Sequence, residues 1–474
     1  MPLLFFFLVL TTPIFTQNVR ATGLLFNDNN YQNAPKLSPS LKFTTSDIPV
    51  VSLKKFCPLP GNQGEMGSCV GWATSYGALT ISQAIKENQT NKELITEQAK
   101  SALYVYNQIK FSNCVPGGAN IEDALDLMKE KGSCMQNDFL PNSCDVLPTN
   151  LEDIKAKDNR IKEYFTLFYI DAIPEKKINA TINSLKANKP VVIGMNITKS
   201  FFNIDGTGLW NPETQEEKLE GGHAMCVIGY NQISKTFELL NSYGSDWGKG
   251  GFMTISFEDF GEYCKYGYQF SLLEKTKNIS NFAFQGTFEI KKLRYEDDNP
   301  IFDKIAAQRT DEEYQIRAGM LSKGDFLKIF AKNLKEDSYL YIFSIKPDKT
   351  TELLFPNSSL IDGATVKDLP LIPSNNAYIE IPNDENKAIQ ADMSGQDYIV
   401  FLYASKKIDN IYSIVKSMAN KKENISVTKK LQDIFSNDLV PTAYINYPND
   451  YIGFTGNSTF GHIVPLVVNV SVAE

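Results

Sequence analysis

Core-type residues recur at helical spacing between Trp72 and Ile85, where Ala73, Tyr76, Leu79, Thr80 and Ala84 share one face. Gly67 and Ser68 punctuate the start of this helix. The same period marks Thr96–Asn107 and Ile121–Lys131. Beyond Tyr164 the pattern shifts to strand-like runs at Thr166–Ala172, Val191–Asn196, His223–Tyr230, Thr236–Asn241 and Phe252–Ser256, with one helix, Ile178–Ala187, ahead of Pro190. This order predicts a helical half followed by a barrel-like, strand-rich half. From about Lys277 the character changes again. Alternation of strand length appears at Asn281–Lys291, Glu313–Met320, Asp325–Ala331, Tyr339–Ile345, Ala377–Ile381 and Tyr398–Ala404, separated by Asp, Asn, Pro and Gly turns. Phe326, Ile329, Tyr341, Phe343 and Leu354 are the expected core of a β-sandwich, and the helical patterns Ile411–Met418 and Val427–Phe435 precede its closing strands.

The N-terminus follows neither pattern. Leu3–Phe15 is an apolar run too short to span a bilayer comfortably, and it reads as a secretory signal spanning residues 1–21, cleaved between Thr16 and Ala21. An uncleaved anchor is the alternative. No later segment reaches membrane length, so no stable span is expected after cleavage, and the expected destination is secreted, periplasmic or cell-surface. Residues 22–45 form a short segment without strong periodicity. A chain of 474 residues fits two or three domains. A net charge of −8 argues against nucleic acid as a partner. All seven cysteines lie at or before Cys264. An oxidising destination permits up to three bridges; Cys134 and Cys144, close together in a polar segment, are the expected pair, and Cys226 reads as a buried free thiol.

Cys69 stands where loop turns into helix, at the positive end of the helix dipole, which favours thiolate over thiol. Gln63 precedes it by six residues. Only two histidines exist; His223 opens an apolar strand after the pair Gly221-Gly222, and Asn241 follows eighteen residues later in Asn241-Ser242-Tyr243-Gly244. An imidazole takes a thiol proton, an asparagine amide holds the ring in one tautomer, and a glutamine amide serves an oxyanion. Each residue alone is most simply structural. Their order, each in its own glycine-marked context, makes the set specific.

Over residues 46–276 the chain resembles the papain family of cysteine peptidases. The resemblance implies an α+β, two-lobed fold with polypeptide substrates, Cys69 as nucleophile, His223 as base and acid, Asn241 as its orienter and Gln63 as oxyanion donor. It makes Gly117 and Gly118 the glycine pair that hydrogen-bonds extended substrate, with Tyr243 and Trp247 shielding the His–Asn bond. His223 and Asn241 lie 154 and 172 residues after Cys69, beyond the usual separation of about 130–150. The sequence departs from the family pattern in having Met66 where a cysteine is usual, which deprives Cys114 of its family partner, and Val70 after the nucleophile. The long helical inhibitory propeptide of papain-like zymogens has no counterpart here. Residues 277–295 read as a linker and 296–474 as an accessory domain. That domain's Tyr339–Ile345 and Leu353-Leu354-Phe355-Pro356-Asn357 resemble an uncharacterised β-sandwich module appended to bacterial caspase-like and papain-like peptidases, over about residues 311–407; no known chemistry comes with it, and a surface or macromolecular ligand is expected from its place as an accessory domain. No Walker loop, zinc spacing or calcium loop is present, and neither cofactor nor metal is expected. His462 reads as structural. Two other classes compete: a catalytically weak papain-like binding or adhesion protein, and a transglutaminase-like acyltransferase, which wants aspartate as its third member and no glutamine before the cysteine.

Overall fold

The computed structural model describes residues 20–474, apart from 39, 45–47, 213–217, 274–281, 298, 311, 318, 357–367, 384–386 and 420–424. The signal-like run therefore lies outside the described residues. The helical lobe is built around one continuous helix. It starts at Cys69–Gly71, widens to a π-type stretch at Trp72–Leu79 and returns to α geometry at Thr80–Lys86. Where one helix was expected over 96–107 there are two, Lys92–Glu97 and Ala102–Ile109. Ser101 starts the second by accepting from the Tyr104 N–H at 3.0 Å, so the chain is re-capped in mid-pattern.

The strand-rich lobe is a mostly antiparallel sheet. Its order runs Ile161–Thr166, Cys264–Leu272, Val191–Thr198, Leu219–Asn231, Thr236–Leu240, Phe252–Ser256. The strand expected at 166–172 lies earlier, over 161–166, because Thr166 donates to the Pro35 carbonyl and the chain then turns. Both faces of 161–166 are covered. Tyr164 enters the first core, while Phe165 joins a cluster with Tyr339, Leu369, Leu371 and Leu402 of the second half.

Beyond Leu272 two sheets face one another. One carries Phe282–Glu296, Phe326–Lys332, Ala377–Ile381 and Ile452–Ser458; the other carries Tyr339–Ile345, Gly395–Ala404 and Ile463–Ala473. The expected linker is corrected here. Residues 282–296 pair with 452–458 on one side and 326–332 on the other, and bury Phe284, Phe288 and Ile290. The expected sandwich core also needs correction. Ile329 is in it, but Phe326 is exposed and Leu354 is only partly buried. Tyr341 and Phe343 point out of the sandwich, into the cluster with Phe165 and the helices Ile411–Ser417 and Val427–Phe435. The whole run Tyr339–Phe343 is buried, so alternation could not say which face was inner.

Residues 20–43 tie the halves together. After the short helix Asp28–Asn33, Lys36–Leu37 pairs in parallel with Thr166 and with Asp368–Leu369, and Leu41–Phe43 pairs antiparallel with Ala377–Ile379. Tyr31 anchors this strap: its ring stacks 4.2 Å from that of Tyr266, and its hydroxyl donates to the Phe168 carbonyl at 2.8 Å. The Lys189–Glu336 ion pair, 3.6 Å, and a Lys162 ammonium bond to the Ser405 carbonyl add polar contacts between the halves.

Candidate active site

Cys69 is the first residue of its helix and fully buried. Its sulfur lies against the backbone N–H of Ala224, the residue after His223, so helix and strand meet there from opposite lobes. His223 sits in Leu219–Asn231, held in register opposite Met195. Its Nε2 is 2.8 Å from Asn241 Oδ1, and among the described residues its Nδ1 has no hydrogen-bond partner. Asn241 follows the strand Thr236–Leu240 directly, so the 236–240 hairpin partner of the histidine strand delivers its orienter.

Gln63 is 2% exposed. Its Oε1 accepts from Ser242 Oγ at 2.6 Å, which aims Nε2 at the carbonyls of Met66 and Ala21, 2.9 and 3.0 Å away. Aromatic rings close the far side. Tyr243 lies 5.0 Å and Phe201 5.4 Å from the imidazole, and Trp247 meets Tyr243 edge-on at 5.6 Å. Tyr243 thus packs against the imidazole with Trp247 behind it, and they are joined by Phe201, which sequence reasoning missed.

The glycine pair behaves differently from expectation. The Gly118 N–H donates to Tyr106 Oη at 3.1 Å, and its carbonyl accepts from the Phe111 N–H at 3.0 Å, so both backbone groups are already used. The next residue, Ala119, does the pairing with an extended segment, and that segment is the strap itself. Ala119 N–H donates to the Gly23 carbonyl at 2.9 Å, and Leu25 N–H donates to the Ala119 carbonyl at 3.0 Å. On the opposite wall Leu24 N–H donates to the Gly222 carbonyl at 3.2 Å. Leu24 is buried, in space left by the missing side chains of Gly194 and Gly222. Residues 20–26 thus bridge both lobes directly over the cysteine and histidine. The Ala21 carbonyl also accepts from Tyr243 Oη at 2.9 Å.

Burial sets the electrostatics. Burial pushes the Cys69 thiol up to about 12 and His223 down to about 4, the bond from Asn241 opposing the latter. Both shifts favour the neutral forms in this covered state, opposite to the thiolate–imidazolium pair that an activated cysteine needs. The disulfide expectation is also corrected. Cys114 bonds Cys144, whereas Cys134 is a buried free thiol, as is Cys226. The Cys114–Cys144 bridge ties the turn before Gly117 to the loop after 140.

Residues 55–271 match the family model described as Papain family cysteine protease. Among curated proteins, an uncharacterized peptidase C1-like protein of Acanthamoeba polyphaga mimivirus is 28% identical over 223 residues, covering 44% of this chain and 69% of that protein. A KDEL-tailed cysteine endopeptidase of Arabidopsis thaliana is 27% identical over 202 residues, and this chain spans only 50% of its length. Among solved structures, xylellain, a cysteine protease from Xylella fastidiosa, aligns with a TM-score of 0.44 at 20% identity, over 54% of this chain and 97% of its own.

Proposed function

We propose, from the match of residues 55–271 to the papain-family cysteine protease model, that this protein hydrolyses peptide bonds through Cys69, in a form that is latent while residues 20–26 cover the cleft. When the cover leaves, water and a substrate dipole reach the pair, and the thiol proton passes to His223 Nδ1. The sulfur attacks the peptide carbonyl carbon, and the negative oxygen is held by Gln63 Nε2 and the Cys69 backbone N–H. His223 returns the proton to the departing amine. A water, deprotonated by the same nitrogen, then cleaves the thioester and frees the acid. The observation that carries this reading is the His223 Nε2–Asn241 Oδ1 bond, which leaves Nδ1 without a partner among the described residues, on the strand whose Ala224 N–H meets the helix-initial cysteine. The Gln63 amide already donates to a peptide carbonyl, that of Ala21, as the mechanism requires of it.

The buried, neutral pair is what favours the competing reading, a papain-like binding protein of feeble activity. An epoxide probe separates the two. Brief limited proteolysis within the strap should make the wild type label at Cys69 and hydrolyse a small peptide, with Cys69→Ala inert. A strap-cleaved, folded protein that neither labels nor hydrolyses would sink the enzymatic reading. Export is part of the proposal, supported by the Leu3–Phe15 run and by the Cys114–Cys144 bridge, which suits an oxidising compartment. Fractionation of the source cells tests it.

A further inference from the structure

We propose that a cavity beneath the strap, remote from Cys69, binds a small amphipathic carboxylate. The cavity encloses about 530 Å³, within the range of about 300–1,000 Å³ typical of small-molecule sites, which favour domain junctions. It lies at such a junction. Phe168, Ala180 and Gln269 come from the peptidase domain, Leu37 and Phe43 from the strap, and Tyr378 from the sandwich.

Its chemistry is two-sided. Leu37, Leu41, Phe43, Phe168 and Ala180 make an apolar wall. Gln269 lines the cavity while only 3% exposed; its Oε1 accepts from Ser184 Oγ at 2.7 Å, and its Nε2 is buried with no partner among the described residues. A buried donor without an acceptor is costly, and an occupant's oxygen removes that cost once the amide turns toward the cavity. Lys42 and Lys176 also line the cavity, and among the described residues neither has an acidic partner. An apolar body with an oxygen acceptor and one terminal negative charge satisfies all three elements. A fatty acid supplies this chemistry, and so does a short apolar peptide with a free C-terminus.

Titration calorimetry of the full chain tests the proposal, using sub-micellar decanoate and N-acetyl-leucyl-leucine, each against its neutral amide. At least one acid should bind, its amide at least about tenfold more weakly, corresponding to about 1.4 kcal/mol lost with the charge. Which acid binds distinguishes the two sources. Binding should persist in Cys69→Ala, fall by a similar factor in Lys42→Ala/Lys176→Ala, and vanish in Ala180→Phe, which fills the cavity. The double lysine variant changes only exposed or half-buried side chains, so it serves if Ala180→Phe does not fold. No binding of either acid, equal binding of acid and amide, or undiminished binding in the lysine variant would overturn the assignment.

Discussion

A Cβ placed on Gly23 would lie 2.0 Å from the Gly67 carbonyl oxygen, a backbone atom that cannot swing aside. Gly23→Ala is therefore expected to lift the strap, and alkylation of Cys69 at neutral pH should accelerate by about tenfold or more, the consequence of about 1.4 kcal/mol of lost docking. An unchanged rate would mean that the strap already moves freely. Leu24→Ala should act in the same direction, since burying a leucine contributes about 1.5–3 kcal/mol. In the uncovered enzyme Gln63→Ala should lower kcat by about 10²–10³, and Asn241→Ala should reduce kcat more than it alters KM, because the amide touches the imidazole and not the substrate. His223 carries a pH signature. Its pKa in the covered fold, about 4, lies below the ordinary 6.5, so the unfolded chain binds the extra proton. Its contribution to stability is present above about pH 6.5 and is lost as pH falls toward 4. The melting temperature of wild type should drop more steeply over that window than that of His223→Gln; parallel curves would refute the depressed value. Gln63, Cys69, His223 and Asn241 were legible because each sits in a glycine-marked local context. Gly23, Leu24 and Ala119 were not, because their roles come from contacts across the cleft.

Among the elements, the helix from Cys69 was readable from its period, yet its widened π-type stretch was not, since that depends on what packs around Trp72–Leu79. Strand 282–296 was readable over 281–291 from the alternation of Phe282, Phe284, Gly286, Phe288 and Ile290, yet it fell within the expected linker 277–295, because the partners that hold it, 326–332 and 452–458, lie far along the chain. The Cys114–Cys144 bridge shows the same limit. Sequence proximity favoured Cys134, but Cys134 faces the helical core, while Cys114 and Cys144 have Cα atoms 5.5 Å apart. The bridge closes a 30-residue separation, for which chain entropy gives about 3–4 kcal/mol. Cys114→Ser should lower stability in denaturant by about that amount, and Cys134 should stay unreactive to thiol reagents in the folded protein. If Cys134→Ser had the larger effect, the pairing would be wrong.

At the scale of the whole molecule the halves are not independent modules joined by a tether. No disulfide joins them, as the cysteine positions require, but Phe165 is buried by Tyr339 and Leu402, and Leu41–Phe43 of the strap is a strand of the sandwich sheet. A chain ending at residue 273 would uncover Phe165 and leave Leu41–Phe43 unpaired. It should be less soluble than the full chain and label faster at Cys69, because the strap loses its far anchor. Equal solubility and equal labelling would show that the first domain holds the strap unaided. What the sequence determined by itself was the inventory: a papain-like domain, with Gln63, Cys69, His223 and Asn241 in order as its candidate site, then a strand-rich second half. Those features are local, written in period, glycine placement and spacing, and they survive translation into structure because short-range sterics and burial enforce them. Tertiary structure alone decided that residues 20–43, which lack any period, close the cleft at one end and complete the sandwich at the other. A segment whose partners are supplied by two separate lobes carries no amphipathic pattern of its own, and its conformation exists only once both lobes have formed around it.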